Sequence, residues 1–332
     1  MGDEIIVTKN LTKIYGGKMR AVSDLNISIM EGEIYGLAGP NGAGKTTTIN
    51  MLITRIKPTG GTALVSGYDI VKESFSVRKL IGVVPQDFTA DEDLTGRENM
   101  MMVSKFYDVP KSKARDSISR LLKLVDLDDA ADRLVRTYSG GMRKRLELVL
   151  GLVHEPRILF LDEPTLGLDI QTRTQMWDYV KDIRDRLKIT IILTSHYLEE
   201  IDELADRVSI IDHGKVLITG SPAELKASLK GDIVNLTLTD EKGVEIMKTV
   251  PHVIEITETG KNALRIKVAS ADESLPNIIN FISLHGLSIA KLTVQKPSLD
   301  EVFLEYTGRD IREGEGGDEA RKLAMNVRRV RQ

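Results

Sequence analysis

The chain has no cysteine among its 332 residues, which removes disulfides, thiol nucleophiles and Cys-ligated metals from consideration. Aromatic residues amount to 5%, and neither a basic face nor an aromatic stacking platform suggests a nucleic-acid ligand. The net charge of −3 likewise lacks the strong basic excess of a dedicated nucleic-acid binder. Long apolar runs are missing too: "ILFL" and "IIL" fall far short of the roughly 20 residues needed to cross a bilayer. The opening stretch "MGDEIIVTKN" is acidic and has neither the basic segment nor the apolar core of a signal peptide. It also lacks the Ser or Thr that a myristoylation signal requires. A soluble, cytoplasmic chain is expected, with any membrane role exercised through a partner. What is present is ordinary for a globular protein, 41% hydrophobic and 29% charged, with length for one large domain or two medium ones.

Over about 220 residues, short apolar runs alternate with amphipathic stretches. "EIYGLAG", "KLIGVVP", "RILFLDE", "ITIILTS" and "RVSIID" read as strands. The near-continuous apolar character of several implies burial on both faces, hence a mostly parallel α/β sheet. "EIIVTKN" and "LNISI" alternate and suggest an antiparallel side sheet, and residues from Asp91 to Leu127 read as helical. The expected division is a core over 1–227 with a helical insert at about 88–155, then a smaller α+β domain over 228–308. The order of patterns in that second part is β-α-β-β-α-β, the ferredoxin-like sequence of elements. A glycine-rich and then basic stretch, 309–332, reads as a mobile tail. Its cations (Arg321, Lys322, Arg328, Arg329 and Arg331) fit a solvated end better than a lipid contact.

The chemistry concentrates in two stretches. "GPNGAGKTTT", Gly39, Pro40, Asn41, Gly42, Ala43, Gly44, Lys45, Thr46, Thr47 and Thr48, matches G-x-x-x-x-G-K-[ST] between an apolar strand and the helical pattern "KTTTINMLITRI". The glycines let consecutive backbone N–H groups face the β-phosphate of a nucleoside triphosphate. Lys45 is suited to the β- and γ-phosphates, Thr46 to Mg²⁺ and Thr47 to the α-phosphate. In "RILFLDEP", Asp162 leaves the carboxyl end of a buried strand, where it can hold Mg²⁺ through a water. Glu163 beside it can orient or deprotonate the attacking water as general base. A third stretch raises a question: "YSGGM" puts Ser139, Gly140 and Gly141 at a helix entrance, a second place for an anion on a chain that already has a better one.

These motifs, with Gln86 in "VVPQD", "LGLD" ending at Asp169, and His196 in "TSHYLEE", occur in the order found in the ATP-binding subunits of ABC transporters. The chain resembles that family over about two thirds of its length. The resemblance implies a P-loop ATPase core of the ABC type, ATP and Mg²⁺ as ligands, and hydrolysis as the reaction. It also implies that Tyr15 stacks on adenine, that Gln86 touches Mg²⁺ and reports to a membrane partner, and that His196 contacts the γ-phosphate. Asp169 belongs to its D-loop. By the same resemblance, two chains pack head to tail, and Ser139, Gly140 and Gly141 of one close over the nucleotide held by Lys45 of the other. That homodimer answers the question of the second anion site.

"TYSGGMRKRLEL" and the late "KPSLDEVFLEYTG" are similar to the drug-export branch typified by daunorubicin-resistance pumps, shared with sodium and lipid exporters. The expected role is therefore the motor of an exporter, on the cytoplasmic face of the membrane beside a separately encoded permease. A soluble ABC ATPase of DNA repair or of the ribosome is the alternative. It is disfavoured by a single P-loop and by the absence of sustained heptads between Gly44 and Arg136. His252 and His285 have no partner at metal-ligand spacing, and the second domain is read, on fold-level analogy, as dimer support and regulation in preference to small-molecule sensing.

Overall fold

A computed structural model describes residues 3–229, 231–240 and 242–307. The basic stretch 309–332 lies outside the described residues. The chain divides into two compact units, one ending at Pro222 and one beginning at Ala223. That division precedes the change of pattern at 227/228, because most of the helix Pro222–Ser228 clusters with the second unit.

The first unit is built on a six-stranded sheet. Its order is Lys215–Gly220, Arg207–Asp212, Ile34–Ala38, Thr190–Ser195, Ile158–Asp162 and Ile81–Val84. All neighbours are parallel except the edge hairpin formed by the first two. The continuous apolar runs are explained by burial: all five residues of Ile34–Ala38 and of Ile158–Asp162 are buried, as are all six of Thr190–Ser195. A second, antiparallel sheet joins Glu4–Tyr15 to Met19–Leu25, Ser28–Met30 and Gly60–Val65, with Tyr68–Asp69 at its edge. Ile6, Leu11, Ile29 and Val65 from it pack with Leu37, Ile49, Met51, Phe160 and Ile192 in one core.

The helical insert contains Gly96–Phe106, Lys111–Leu124 and Gly140–Leu150. The first begins with a capping box, in which the Thr95 hydroxyl accepts from the Glu98 N–H and the Glu98 carboxylate accepts from the Thr95 N–H. The second buries Ala114, Ile118, Leu121 and Leu122, spaced i, i+4, i+7 and i+8 along one face. The helix after the P-loop is shorter than its sequence pattern suggests and runs only from Lys45 to Leu52. The backbone turns at Thr54 (φ 65°), where the N–H groups of both Arg55 and Ile56 reach back to the Asn50 carbonyl. Pro58 then disfavours helical geometry at Lys57.

The second unit has strands Asp232–Leu238, Glu255–Gly260, Ala263–Val268 and Ile289–Gln295, with helices Lys242–Met247, Ala271–Leu284 and Leu299–Thr307. Numbered within the unit, its antiparallel strand order is 2-3-1-4, the ferredoxin-like arrangement. Val234, Leu236, Leu264, Ile266, Ile278 and Ile282 form its core.

One close contact tests the packing of the first unit. A Cβ on Gly82 would lie 2.0 Å from the Gly151 carbonyl oxygen and 3.0 Å from Leu159, so the insert's exit turn needs glycine there. Gly82→Ala is expected to destabilise the unit by about 1–3 kcal/mol, the usual cost of overpacking. Chemical denaturation against the parent chain measures it, and an unchanged midpoint would contradict the packing described.

Candidate functional site

Four of the predicted segments follow the carboxyl ends of parallel strands, where α/β sheets bind ligands. The P-loop follows Ala38, Gln86 follows the strand ending at Val84, Glu163 follows Asp162, and His196 follows Ser195. Register completes the arrangement by setting Asp162 opposite Thr194 and Ala38 opposite Ser195.

The P-loop's shape depends on two glycines. Gly39 (φ 156°) has no room for a Cβ, which would meet the Ile211 carbonyl oxygen at 2.2 Å. Gly44 sits at φ 105°, and its Cβ would be 2.4 Å from the Ala21 oxygen. The loop is pinned from that side: Gly214 donates its N–H to the Ala43 carbonyl at 2.9 Å, and Ser23 donates to the Gly214 carbonyl at 2.8 Å. Gly44 caps the helix Lys45–Leu52 without a side-chain acceptor, so the first-turn N–H groups remain for an anion.

Lys45 is 5% exposed. Its ammonium donates to the carbonyls of Gly39 at 2.7 Å and Pro40 at 3.2 Å, and stands 3.9 Å from Glu163 Oε1. Burial pushes its pKa down, against the opposing pull of Glu163 and Asp162. Asp162 Oδ1 accepts from the Thr194 hydroxyl at 2.6 Å and from the Thr46 hydroxyl at 3.4 Å. Glu163 adopts φ 52°, the left-handed region that a non-glycine residue enters at a cost. Its N–H donates to the Thr194 hydroxyl at 3.1 Å, and its Oε2 lies 3.2 Å from His196 Nδ1.

A cavity of about 690 Å³ collects most of the predicted residues: Tyr15, Asn41, Gly42, Ala43, Gly44, Lys45, Thr46, Thr47, Gln86, Glu163 and His196. Gly39, Pro40 and Asp162 act on it through Lys45 and Thr46 rather than by lining it. Met19, Arg20 and His213 also line it and were not anticipated. Met19 pairs with Tyr15 across the turn at Gly16 and Gly17, so a hairpin reading of "IYGGKM" would have brought it in. His213 occupies a hairpin turn distant in sequence and carried no local signal. A larger cleft, about 840 Å³ beside Tyr179 and Arg120, contains none of the predicted residues.

Ser139, Gly140, Gly141 and Asp169 are brought together elsewhere. They line a second cavity of about 320 Å³ with Gly167, Leu168 and Thr172, and it shares no lining residue with the first. Ser139 caps the helix Gly140–Leu150 by accepting the Met142 N–H at 3.3 Å. Asp169 caps Ile170–Leu187, accepting from the Thr172 N–H and hydroxyl, and these bonds hold its carboxyl below the usual range. Tyr138 is buried and donates its hydroxyl to the Ala130 carbonyl at 2.7 Å, a structural use of an atypical signature residue.

Sequence reasoning also missed a clasp between the signature helix and the loop after Gln86. Lys144 Nζ donates to the Gln86 carbonyl at 3.1 Å. The buried carboxylate of Glu147 accepts from the Thr89 N–H at 2.7 Å, the Ala90 N–H at 2.9 Å and the Thr89 hydroxyl.

Residues 22–166 match the family described as ABC transporter, and residues 220–307 match the ATP-binding protein DrrA1-3-like C-terminal domain. The chain is 40% identical to the daunorubicin/doxorubicin resistance ATP-binding protein DrrA of Streptomyces peucetius, over 96% of its own length and 98% of that protein. It is 34% identical to the Nod factor export ATP-binding protein I of Burkholderia orbicola, covering 92% and 97%. Among solved structures, it resembles the dimeric post-hydrolysis state of the ATP-binding cassette MJ0796 bound to ADP and Pi, with TM-score 0.59 and 26% identity, over 65% of this chain and 98% of that one. The chain therefore belongs to the ATP-binding proteins of ABC transporters, enzymes that bind ATP and hydrolyse it to ADP and phosphate.

The P-loop geometry gives a direct check. Gly44→Ala forces both a left-handed alanine and a backbone clash and is expected to weaken ATP binding by about tenfold or more. A Cβ on Gly42 (φ 79°) would meet nothing within 4 Å, so Gly42→Ala should lose less. Titration with a fluorescent ATP analogue ranks the two variants. A reversed ranking would contradict the loop conformation.

Proposed function

We propose that the chain is the ATP-hydrolysing motor of an exporter and works on the cytoplasmic face of a membrane through a separate permease. No helix among the described residues is long and apolar enough to cross a membrane. Relatives named for drug resistance and for Nod factor export favour export over a repair or ribosomal role. The observation that carries the mechanism is the separation of the two cavities. Within one chain, the P-loop with Glu163 and His196 forms one, and Ser139–Gly141 with Asp169 forms the other. Two chains related by a two-fold axis complete both sites at once, each presenting its signature to the other's nucleotide.

Each residue then has a role its position allows. Tyr15, 38% exposed at the cavity edge, stacks on adenine. Gly39–Thr47 cradle the phosphates, with Lys45 on the β- and γ-phosphates. Glu163 takes the proton of the attacking water and His196, beside its second carboxylate oxygen, contacts the γ-phosphate. The Thr46 hydroxyl, the Asp162 carboxylate and the side-chain oxygen of Gln86 form a hard-oxygen set that fits Mg²⁺. Bound there, Mg²⁺ would neutralise charge on the β- and γ-phosphates. Among the described residues no cluster of three or more acidic or histidine side chains could hold a metal alone, in keeping with an ion whose shell is shared with phosphates.

Glu163→Gln is expected to bind ATP, nearly abolish turnover and trap a closed pair of chains. Light scattering with and without Mg-ATP should show a shift from monomer to dimer. Turnover at the parental rate would overturn the role of Glu163 as base. A particle that stays monomeric while holding ATP would overturn closure by two copies of this chain alone.

A further inference from the structure

Glu200 is a buried carboxylate that the mechanism above does not use. It lies on the helix Leu198–Leu204, is 1% exposed and lines neither cavity. A carboxylate so placed is costly unless its partners hold it. Its Oε1 accepts from the Thr165 hydroxyl at 2.8 Å and from the indole N–H of Trp177 at 3.1 Å. Burial raises its pKa, opposed by the hydrogen bonds from Thr165 and Trp177 and by the charge of Arg173. Arg173 itself stacks on Tyr197, 4.3 Å from the ring centroid.

Its partners come from two segments of the site. Thr165 lies on the turn leaving Glu163, and Trp177 and Arg173 lie on the helix capped by Asp169. The turn at Glu163 needs such support, because a left-handed glutamate persists only where its surroundings over-determine it. Thr194 fixes its N–H, while Leu166 and Leu168 close the turn by donating to the carbonyls of Glu163 and Thr165. The Thr165 hydroxyl ties that turn to a separate helix.

We propose that Glu200 is a positioning residue for hydrolysis: through Thr165 it fixes the left-handed turn that aims Glu163, and through Trp177 it couples that turn to the helix capped by Asp169. This rests on Glu163 acting as the base. The coupling joins a cavity-facing carboxylate to a cap that lines the signature cleft of the same chain.

Thr165→Val in the full chain removes the hydroxyl and keeps the side chain's size. It is expected to lower kcat by about tenfold, with the KM for Mg-ATP and the melting temperature near parental. Thr165→Ser restores the hydroxyl and should restore kcat, which loss of packing alone would not allow. Glu200→Gln keeps one oxygen for both donors and should retain most activity. Trp177 is the chain's only tryptophan, so its emission reports this network. Mg-ATP should shift that emission in the parent and shift it less in Thr165→Val. An inactive Glu163→Gln beside a Thr165→Val of parental kcat rejects this proposal alone. A Glu163→Gln that turns over at the parental rate removes the base reading on which it rests. Parental Trp177 emission that ignores Mg-ATP overturns the coupling.

Discussion

A buried ammonium organises this molecule. Lys45, held by the carbonyls of Gly39 and Pro40 and facing Glu163, is a positive charge kept out of water at the carboxyl edge of the parallel sheet. Burial alone would favour its neutral form, and the acids at the end of the neighbouring strand oppose that. The loop around it must therefore bend sharply, which dictates glycine at 39 and 44. The strand carrying Asp162 must stop beside it, and the register with Thr194 sets where. In the proposed reading, phosphate oxygens brought to that charge would take the place of the two backbone carbonyls that hold it here.

The signature segment has a different logic. Ser139, Gly140 and Gly141 are positioned by capping and by a helix that also grips the loop after Gln86 through Lys144 and Glu147. A push on the signature end of that helix is thus mechanically connected to the loop that leaves the P-loop cavity of the same chain. In a pair of chains this would let each nucleotide be sensed by both active sites, which supports reading ATP as the element that closes the pair.

Much of this was legible in the amino-acid order because it is local. The P-loop is nine consecutive residues, the Asp162–Glu163 pair is adjacent, and buried parallel strands announce themselves as unbroken apolar runs. The β-α-β-β-α-β order of the second unit was legible in the succession of its apolar patterns. What escaped depends on contacts between distant segments. Met19, Arg20 and His213 reach the cavity only through strand pairing and a remote hairpin turn. Glu147 meets Thr89, and Glu200 meets Thr165 and Trp177, across separate elements. The helix after the P-loop was overestimated because the apolar pattern continues past Leu52, whereas Thr54 turns the backbone before Pro58.

The claim on which the account turns is that a working site takes its P-loop from one chain and its signature from another. Mixing two inactive chains tests it, one Lys45→Ala and the other Ser139→Arg. Each mixed pair contains one site with a parental P-loop and a parental signature, and one site lacking both. The account predicts that ATPase activity, absent from either variant alone, reappears on mixing and rises with the fraction of mixed pairs. Activity that stays absent in a mixture shown to form mixed pairs would contradict it.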